Sequence, residues 1–188
     1  MTKLLRLLLG VLIVLAVGLT SAPSAEAVTR PYCGIYWGSL PKTGPALTYV
    51  PSGSDSVYNV RTGRHSCYDR LVVDVSGPIG SYNVRYVPRI LSDGGGILVP
   101  TRGAATLRIG MMNSGYDPYR TPTYVPANEN ELTRVTGYRT FRQVVWAGSY
   151  EGYSTIGIGV RARLPFRVFV LSGPGSNSRL VVDVAHRW

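Results

Sequence analysis

Lysine, phenylalanine, histidine and cysteine are all scarce in this chain. Its 188 residues include Lys3 and Lys42 as the only lysines, three Phe, two His and two Cys. Two Cys and two His are too few for a self-contained zinc site, and neither Cys belongs to a C-x-x-C motif. Charge is sparse as well: 16% of residues are charged and 45% are hydrophobic. That balance excludes an extended disordered chain, which combines low hydrophobicity with high charge density. Long helices are disfavoured by 22 Gly and 13 Pro, so a helical bundle is excluded. The length suits one domain plus a targeting segment.

The amino terminus has the three-part layout of an export signal. Lys3 and Arg6 are followed by an apolar run from Leu7 to Leu19, and Ala25-Glu26-Ala27 is a small-x-small cleavage site. The run falls short of the ~20 apolar residues a spanning helix requires, so residues 1–27 are expected to be a removable signal peptide with no stable membrane anchor after cleavage. Cleavage leaves Lys42 as the only lysine, and every other basic residue is Arg. Lys and Arg number 20 against 10 Asp and Glu, a formal charge of +10. Arginine offers planar, bidentate contacts to carboxylate and phosphate and stacks on aromatic rings. Export turns that charge toward an anionic wall polymer or a membrane surface rather than nucleic acid.

An exported chain with an even number of cysteines is expected to pair them, here Cys33 with Cys67. A loop of this size stabilises a fold by roughly 3–4 kcal/mol. It ties a Gly-, Pro- and Tyr-rich lead to the first strong strand. Residues 28–66 are expected to be irregular with at most a short strand. Short strands then follow at Arg70–Val75, Tyr82–Val87, 97–100, Ala105–Met111, 140–147, 154–161, 166–171 and 179–184. A long excursion over 113–130 is marked by Asp117-Pro118, Thr121-Pro122 and Val125-Pro126. This spacing, with no helical period, gives an all-β protein of antiparallel sheets, a sandwich or barrel.

Arg70–Val75 and Arg179–Val184 carry the same six residues, Arg-Leu-Val-Val-Asp-Val. If the copies pair antiparallel in register, Arg70 faces Asp183 and Arg179 faces Asp74. A parallel pairing sets Arg against Arg, which is unfavourable. Asp69, Asp74 and Asp183 lie among arginines and are expected to be ion-pair partners.

Catalytic chemistry has little support. His65 and His186 are the only imidazoles, and Gly148-Ser149-Tyr150-Glu151-Gly152 misplaces the serine of a nucleophile elbow. Among the acids, Glu151 is the one in a glycine-flanked loop. Gly94-Gly95-Gly96 lacks the Lys and Ser/Thr of a phosphate-binding loop. No cofactor or metal motif is present. A binding surface is better supported. Strand alternation places Arg142, Val144 and Trp146 on one face and Phe141, Gln143 and Val145 on the other. Gly157 and Gly159 line a face that a ligand or another backbone can approach closely. Tyr138, Arg142, Trp146, Tyr150 and Tyr153 are the candidate residues for stacking on and hydrogen bonding to sugar or peptide.

The run from Gly63 to Asp74 resembles the opening of the AMIN-like domain of secreted actinobacterial proteins. The resemblance continues through Gly80–Val87, Gly137–Gly148 with Glu151-Gly152, Pro165–Phe169 and Arg179–Val184, and so covers about residues 63–188. It implies a compact β-sandwich. It also implies kinship with the AMIN domain of cell-wall amidases, which targets its enzymes to the envelope and binds peptidoglycan. The expected organisation is a signal peptide (1–27), a disulfide-tied lead (28–62) and an AMIN-like sandwich (63–188). The expected function is non-catalytic binding of peptidoglycan or an anionic wall polymer in the extracytoplasmic envelope. The alternatives are a carrier of a small apolar ligand, which needs an internal cavity, and an inhibitor or protein-interaction domain working through the 113–130 loop.

Overall fold

A computed structural model describes residues 31–44 and 55–188; the expected signal peptide lies outside them. The strands are β1 (Lys42–Gly44), β2 (Val57–Arg64), β3 (Tyr68–Val75), β4 (Tyr82–Val87), β5 (Ile90–Leu91), β6 (Leu98–Val99), β7 (Ala105–Met111), β8 (Phe141–Tyr150), β9 (Tyr153–Val160), β10 (Phe166–Ser172) and β11 (Ser178–Ala185). They form an antiparallel sandwich of a four-stranded sheet, β10-β11-β3-β2, and a five-stranded sheet, β1-β4-β7-β9-β8, with β5 and β6 as a separate hairpin.

Alternation along β3 and β11 turns Leu71, Val73 and Val75 and, beside them, Leu180, Val182 and Val184 into the interior. From the other sheet come Leu107, Ile109, Ile156, Ile158 and Phe141, all buried in the same core. Full burial of a side chain of this size stabilises the fold by about 1.5–3 kcal/mol.

The repeated hexapeptides pair antiparallel in the expected register, Arg70 opposite Asp183 and Arg179 opposite Asp74. Their ion pairing is only half as expected. Asp183 is fully buried and receives Arg70 through Nε at 2.6 Å and Nη2 at 2.9 Å. Arg167 of β10 adds a third bond at 2.8 Å. Arg179 makes no such bond to Asp74. Arg61 of β2 grips that carboxylate at both oxygens, at 2.8 and 3.0 Å, and Asn59 adds a bond at 2.9 Å. Arg179 reaches the Ser172 carbonyl instead, at 3.2 Å, and its Nε is buried with no partner. The asymmetry follows from strand order: β2 flanks β3 and β10 flanks β11, so each aspartate has a second neighbour that competes for it.

Two β-bulges correct the strand reading. β2 is an eight-residue strand inside the stretch expected to be mostly irregular. Its register shifts between Val57 and Asn59, which spaces the buried Val57 and Val60 three apart and breaks the two-residue period that reveals a strand. β8 shifts likewise between Phe141 and Gln143. Phe141 therefore joins Val144 and Trp146 in the core, and Arg142 is exposed rather than sharing their face.

Asp69 also departs from expectation, because its partners are not arginines. Fully buried on β3, it accepts the backbone N–H groups of Thr140 at 2.6 Å and Phe141 at 3.1 Å. It thus joins the four-stranded sheet to the start of β8 in the other sheet. The buried His186 ring closes the node, with its nitrogens 3.2 Å from Asp69 Oδ1 and 3.2 Å from the Ser66 carbonyl. Among the described residues, the ring's hydrogen-bond partners are that carboxylate and that carbonyl, which tie the end of the chain to the start of β3.

The lead is a strap. Cys33 and Cys67 are disulfide-bonded. Trp37 is buried against Tyr68 with ring centroids 5.9 Å apart. The Gly38 carbonyl accepts the Phe166 N–H at the edge of one sheet, at 2.8 Å, and β1 then pairs with β4 at the edge of the other.

Two outcomes are expected in denaturant titrations. Removing one partner of a buried ion pair costs about 3–5 kcal/mol, so Asp183→Ala destabilises the protein by about that much, whereas Arg179→Ala costs under ~1 kcal/mol. Replacing both cysteines by serine lowers stability by roughly 3–4 kcal/mol and shifts Trp37 fluorescence to the red as the strap loosens.

Candidate functional site

The β8 bulge that expels Arg142 also shapes the most arginine-rich groove among those described. Its volume is about 660 Å³, and Arg102, Glu131, Arg134, Tyr138, Phe141 and Arg142 line it with Thr133, Val135, Thr136 and Gly137. The wall comes from the loop before β8, which hydrogen-bonds along the outer edge of that strand: Leu132 N–H donates to the Val144 carbonyl at 2.9 Å, and Trp146 N–H to the Glu129 carbonyl at 2.7 Å. Gly137 has φ +80°, a left-handed turn that suits glycine.

Tyr138 forms an aromatic floor. It stacks on Phe141 at 6.0 Å, with ring planes 10° apart. Its hydroxyl donates to Thr62 Oγ1 at 3.0 Å, and Thr62 donates to Thr133 at 3.1 Å. The Arg64 guanidinium lies 6.0 Å from the Tyr138 ring centroid. Cations occupy the rim. Arg102 pairs with Glu131. Arg142 donates to the Phe141 carbonyl at 2.9 Å and the Tyr138 carbonyl at 3.3 Å, which holds its guanidinium over the turn. Arg134 is exposed and has no ion-pair partner among the described residues. Three arginines against one glutamate leave the groove net positive. A π-face beside fixed guanidinium groups suits a ligand that carries both a carboxylate and a sugar or amide surface.

The structure separates the five candidate residues. Tyr138 and Arg142 share the groove. Trp146 is buried in the core, with the Tyr124 ring edge-on at 4.9 Å; burial pushes the Tyr124 phenol up to about 12. Tyr150 and Tyr153 pair at the opposite end of the β8–β9 hairpin, about 30 Å from Phe141 at ~3.3 Å per strand residue. Glu151, at φ +49°, and Gly152, at φ +84°, make the tight turn between these tyrosines. The glycine face of β9 is occupied by the chain itself. Ile90 packs over Gly157, and a side chain at Gly159 would collide with the Arg102 carbonyl. Close packing of the Ile90 and Val145 side chains accounts for Gly157, and close approach of the Arg102 backbone for Gly159.

Arg102, Glu131 and Arg134 went unnoticed in the sequence. Each lies in a loop without periodicity: the loop wrapped along β8 brings Glu131 and Arg134 beside Tyr138, and the β6–β7 connection, packed over Gly159 and bonded to Gln143, brings Arg102. A second groove of about 470 Å³, beside Tyr86 and Thr101, has a single cation, Arg163, stacked 4.8 Å over the Tyr86 ring. It is a weaker match to an anionic ligand.

Among the described residues, no group of three or more His, Cys, Asp and Glu is placed to hold a metal ion, and no helix is long and apolar enough to cross a membrane. A search of curated proteins gives no significant match. The family model of the AMIN-like domain matches residues 55–186, a span that includes both bulged strands, the repeated hexapeptides and the whole groove loop. With more than half of its length matched from just before β2 to just after β11, the chain belongs to the AMIN-like domain family.

Proposed function

We propose that this protein is an exported, non-catalytic module that binds the cell envelope and recognises peptidoglycan through the groove beside β8. Family membership supports a cell-wall-related binding role. The observation that carries the finer reading is the net-positive groove floored by Tyr138, with Arg134 and Arg142 on its rim. Wall peptides present carboxylates to the guanidinium groups, and glycan rings present flat apolar faces to the tyrosine. The Cys33–Cys67 disulfide supports an oxidising, extracytoplasmic location.

A surface role is favoured over a carrier role because Leu71, Leu107, Ile109, Phe141, Ile156 and Leu180 fill the space between the sheets. The 113–130 excursion, the candidate epitope of an interaction domain, is held to the sandwich by Val57 N–H donating to the Ser114 carbonyl at 2.7 Å and by Thr123 donating to the Val57 carbonyl at 2.8 Å.

The test is co-sedimentation of the exported protein with purified insoluble wall, before and after its anionic polymers are stripped, across a salt series. Retention on stripped wall at moderate salt is expected. A hydrogen bond to a charged group contributes about 1.5–3 kcal/mol, so Arg134→Ala and Arg142→Ala each weaken retention by roughly tenfold or more. Trp146→Ala acts differently. It lowers stability by about 3–5 kcal/mol and leaves the binding of the folded fraction intact. Retention that disappears with the anionic polymers would reduce the interaction to general charge attraction.

A further inference from the structure

The β5–β6 hairpin displays aliphatic side chains that neither the core nor the groove uses. Ile90 is buried over Gly157, and its cross-strand partner is Val99. Alternation therefore turns the next pair, Leu91 opposite Leu98, away from the sandwich. Leu91 is 43% exposed, Leu98 56% and the adjoining Ile97 70%. Tyr150, 51% exposed, lies with its ring against Gly94 in the turn of this hairpin. The display is rigidly held. Asp93 N–H donates to the Ala147 carbonyl at 2.7 Å, and Asp93 Oδ1 accepts the Thr155 hydroxyl at 2.9 Å. Ser92 closes the turn on Ile97 with bonds of 2.7 Å through its N–H and 3.0 Å through its hydroxyl.

Arginines stand at the base of this tip. Arg89 immediately precedes β5, is exposed and has no ion-pair partner among the described residues. Arg102 follows β6 and is also exposed. The exposed end of the hairpin thus carries aliphatic side chains and a tyrosine ring, with arginine at its base, a combination that suits a bilayer surface, whose apolar boundary and interface take the former and whose phosphates take the guanidinium groups.

We propose that the β5–β6 hairpin docks on an anionic lipid surface, with Ile97, Leu98 and Leu91 inserted at the acyl boundary and Arg89 against lipid phosphate. Charge complementarity selects this occupant over a second copy of the chain. The sequence carries a formal charge of +10, so two copies repel one another, whereas an anionic leaflet attracts both Arg89 and the whole molecule. The surface shares only Arg102 with the wall-binding groove, where that residue pairs with Glu131, and uses none of the groove's tyrosine floor.

The test is co-sedimentation of the exported full-length fold with phosphatidylglycerol vesicles and with phosphatidylcholine vesicles, free of any wall polymer. Retention on phosphatidylglycerol is expected, weaker on phosphatidylcholine. The paired variant I97S/L98S loses at least roughly tenfold, and Arg89→Ala loses roughly fivefold. Arg134→Ala retains full vesicle binding, which separates this surface from the groove. Ile97→Trp provides an independent readout: its added fluorescence shifts to the blue and is quenched by brominated lipid when the tip inserts. Absence of retention, retention unchanged in I97S/L98S, or an Ile97→Trp signal unaffected by vesicles would overturn the proposal. So would a dimer in sedimentation velocity that I97S/L98S abolishes, if it came without vesicle binding.

Discussion

Asp183 is held by Arg70 on one side and Arg167 on the other, with no exposure to solvent. A buried carboxylate is tolerable only when it is paired and hydrogen-bonded. This one obtains its partners from both neighbouring strands, so its position specifies β10, β11 and β3 together. Slipping β3 by one residue would remove Arg70 from Asp183 and turn Leu71, Val73 and Val75 out toward water. Polar and apolar demands therefore select the same register. The sheet that results carries Phe166 and Val182 inward and the arginine-aromatic cluster outward, where Arg167 lies 5.0 Å from the Phe169 ring and 5.5 Å from that of Trp37.

The second sheet depends on the first through Asp69. Its carboxylate captures the Thr140 and Phe141 N–H groups at the point where the long loop becomes β8. That capture precedes the bulge which puts Phe141 inside and Arg142 outside. The groove is thus a consequence of how the sheets are joined. Its loop wall lies along the outer edge of β8, where it both lines the groove and covers what would otherwise be an open strand edge.

The two exposed surfaces make different physical demands. The groove combines held guanidinium groups with one aromatic floor, which favours a ligand met at fixed angles. The β5–β6 tip combines aliphatic side chains with flanking arginines, a design for a surface without directional detail. Both lie around β8 and β9, and the glycines of β9 let the hairpin and the Arg102 segment pack closely onto that sheet.

Sequence alone carried the features whose causes are local or repeated. Period-two alternation located β4 and β7 with their observed boundaries, and the duplicated hexapeptide gave the β3–β11 register. The two cysteines gave the disulfide. Of the candidate groove, Tyr138 and Arg142 stood out in the sequence through the aromatic and arginine content around β8. Tertiary structure decided the rest. It assigned Asp74 to Arg61 rather than Arg179, since a third strand competes for that carboxylate. It hid β2 and rotated Phe141 through bulges, which change the side-chain period without leaving a mark in composition. It took Tyr150 and Tyr153 away from Tyr138 because a ten-residue strand separates the ends of its hairpin. It brought Glu131 and Arg134 to Arg102 because one loop takes its position from the β8 edge it covers and the other from the glycine face of β9 it packs on, and neither edge nor face exists until the sheet has formed.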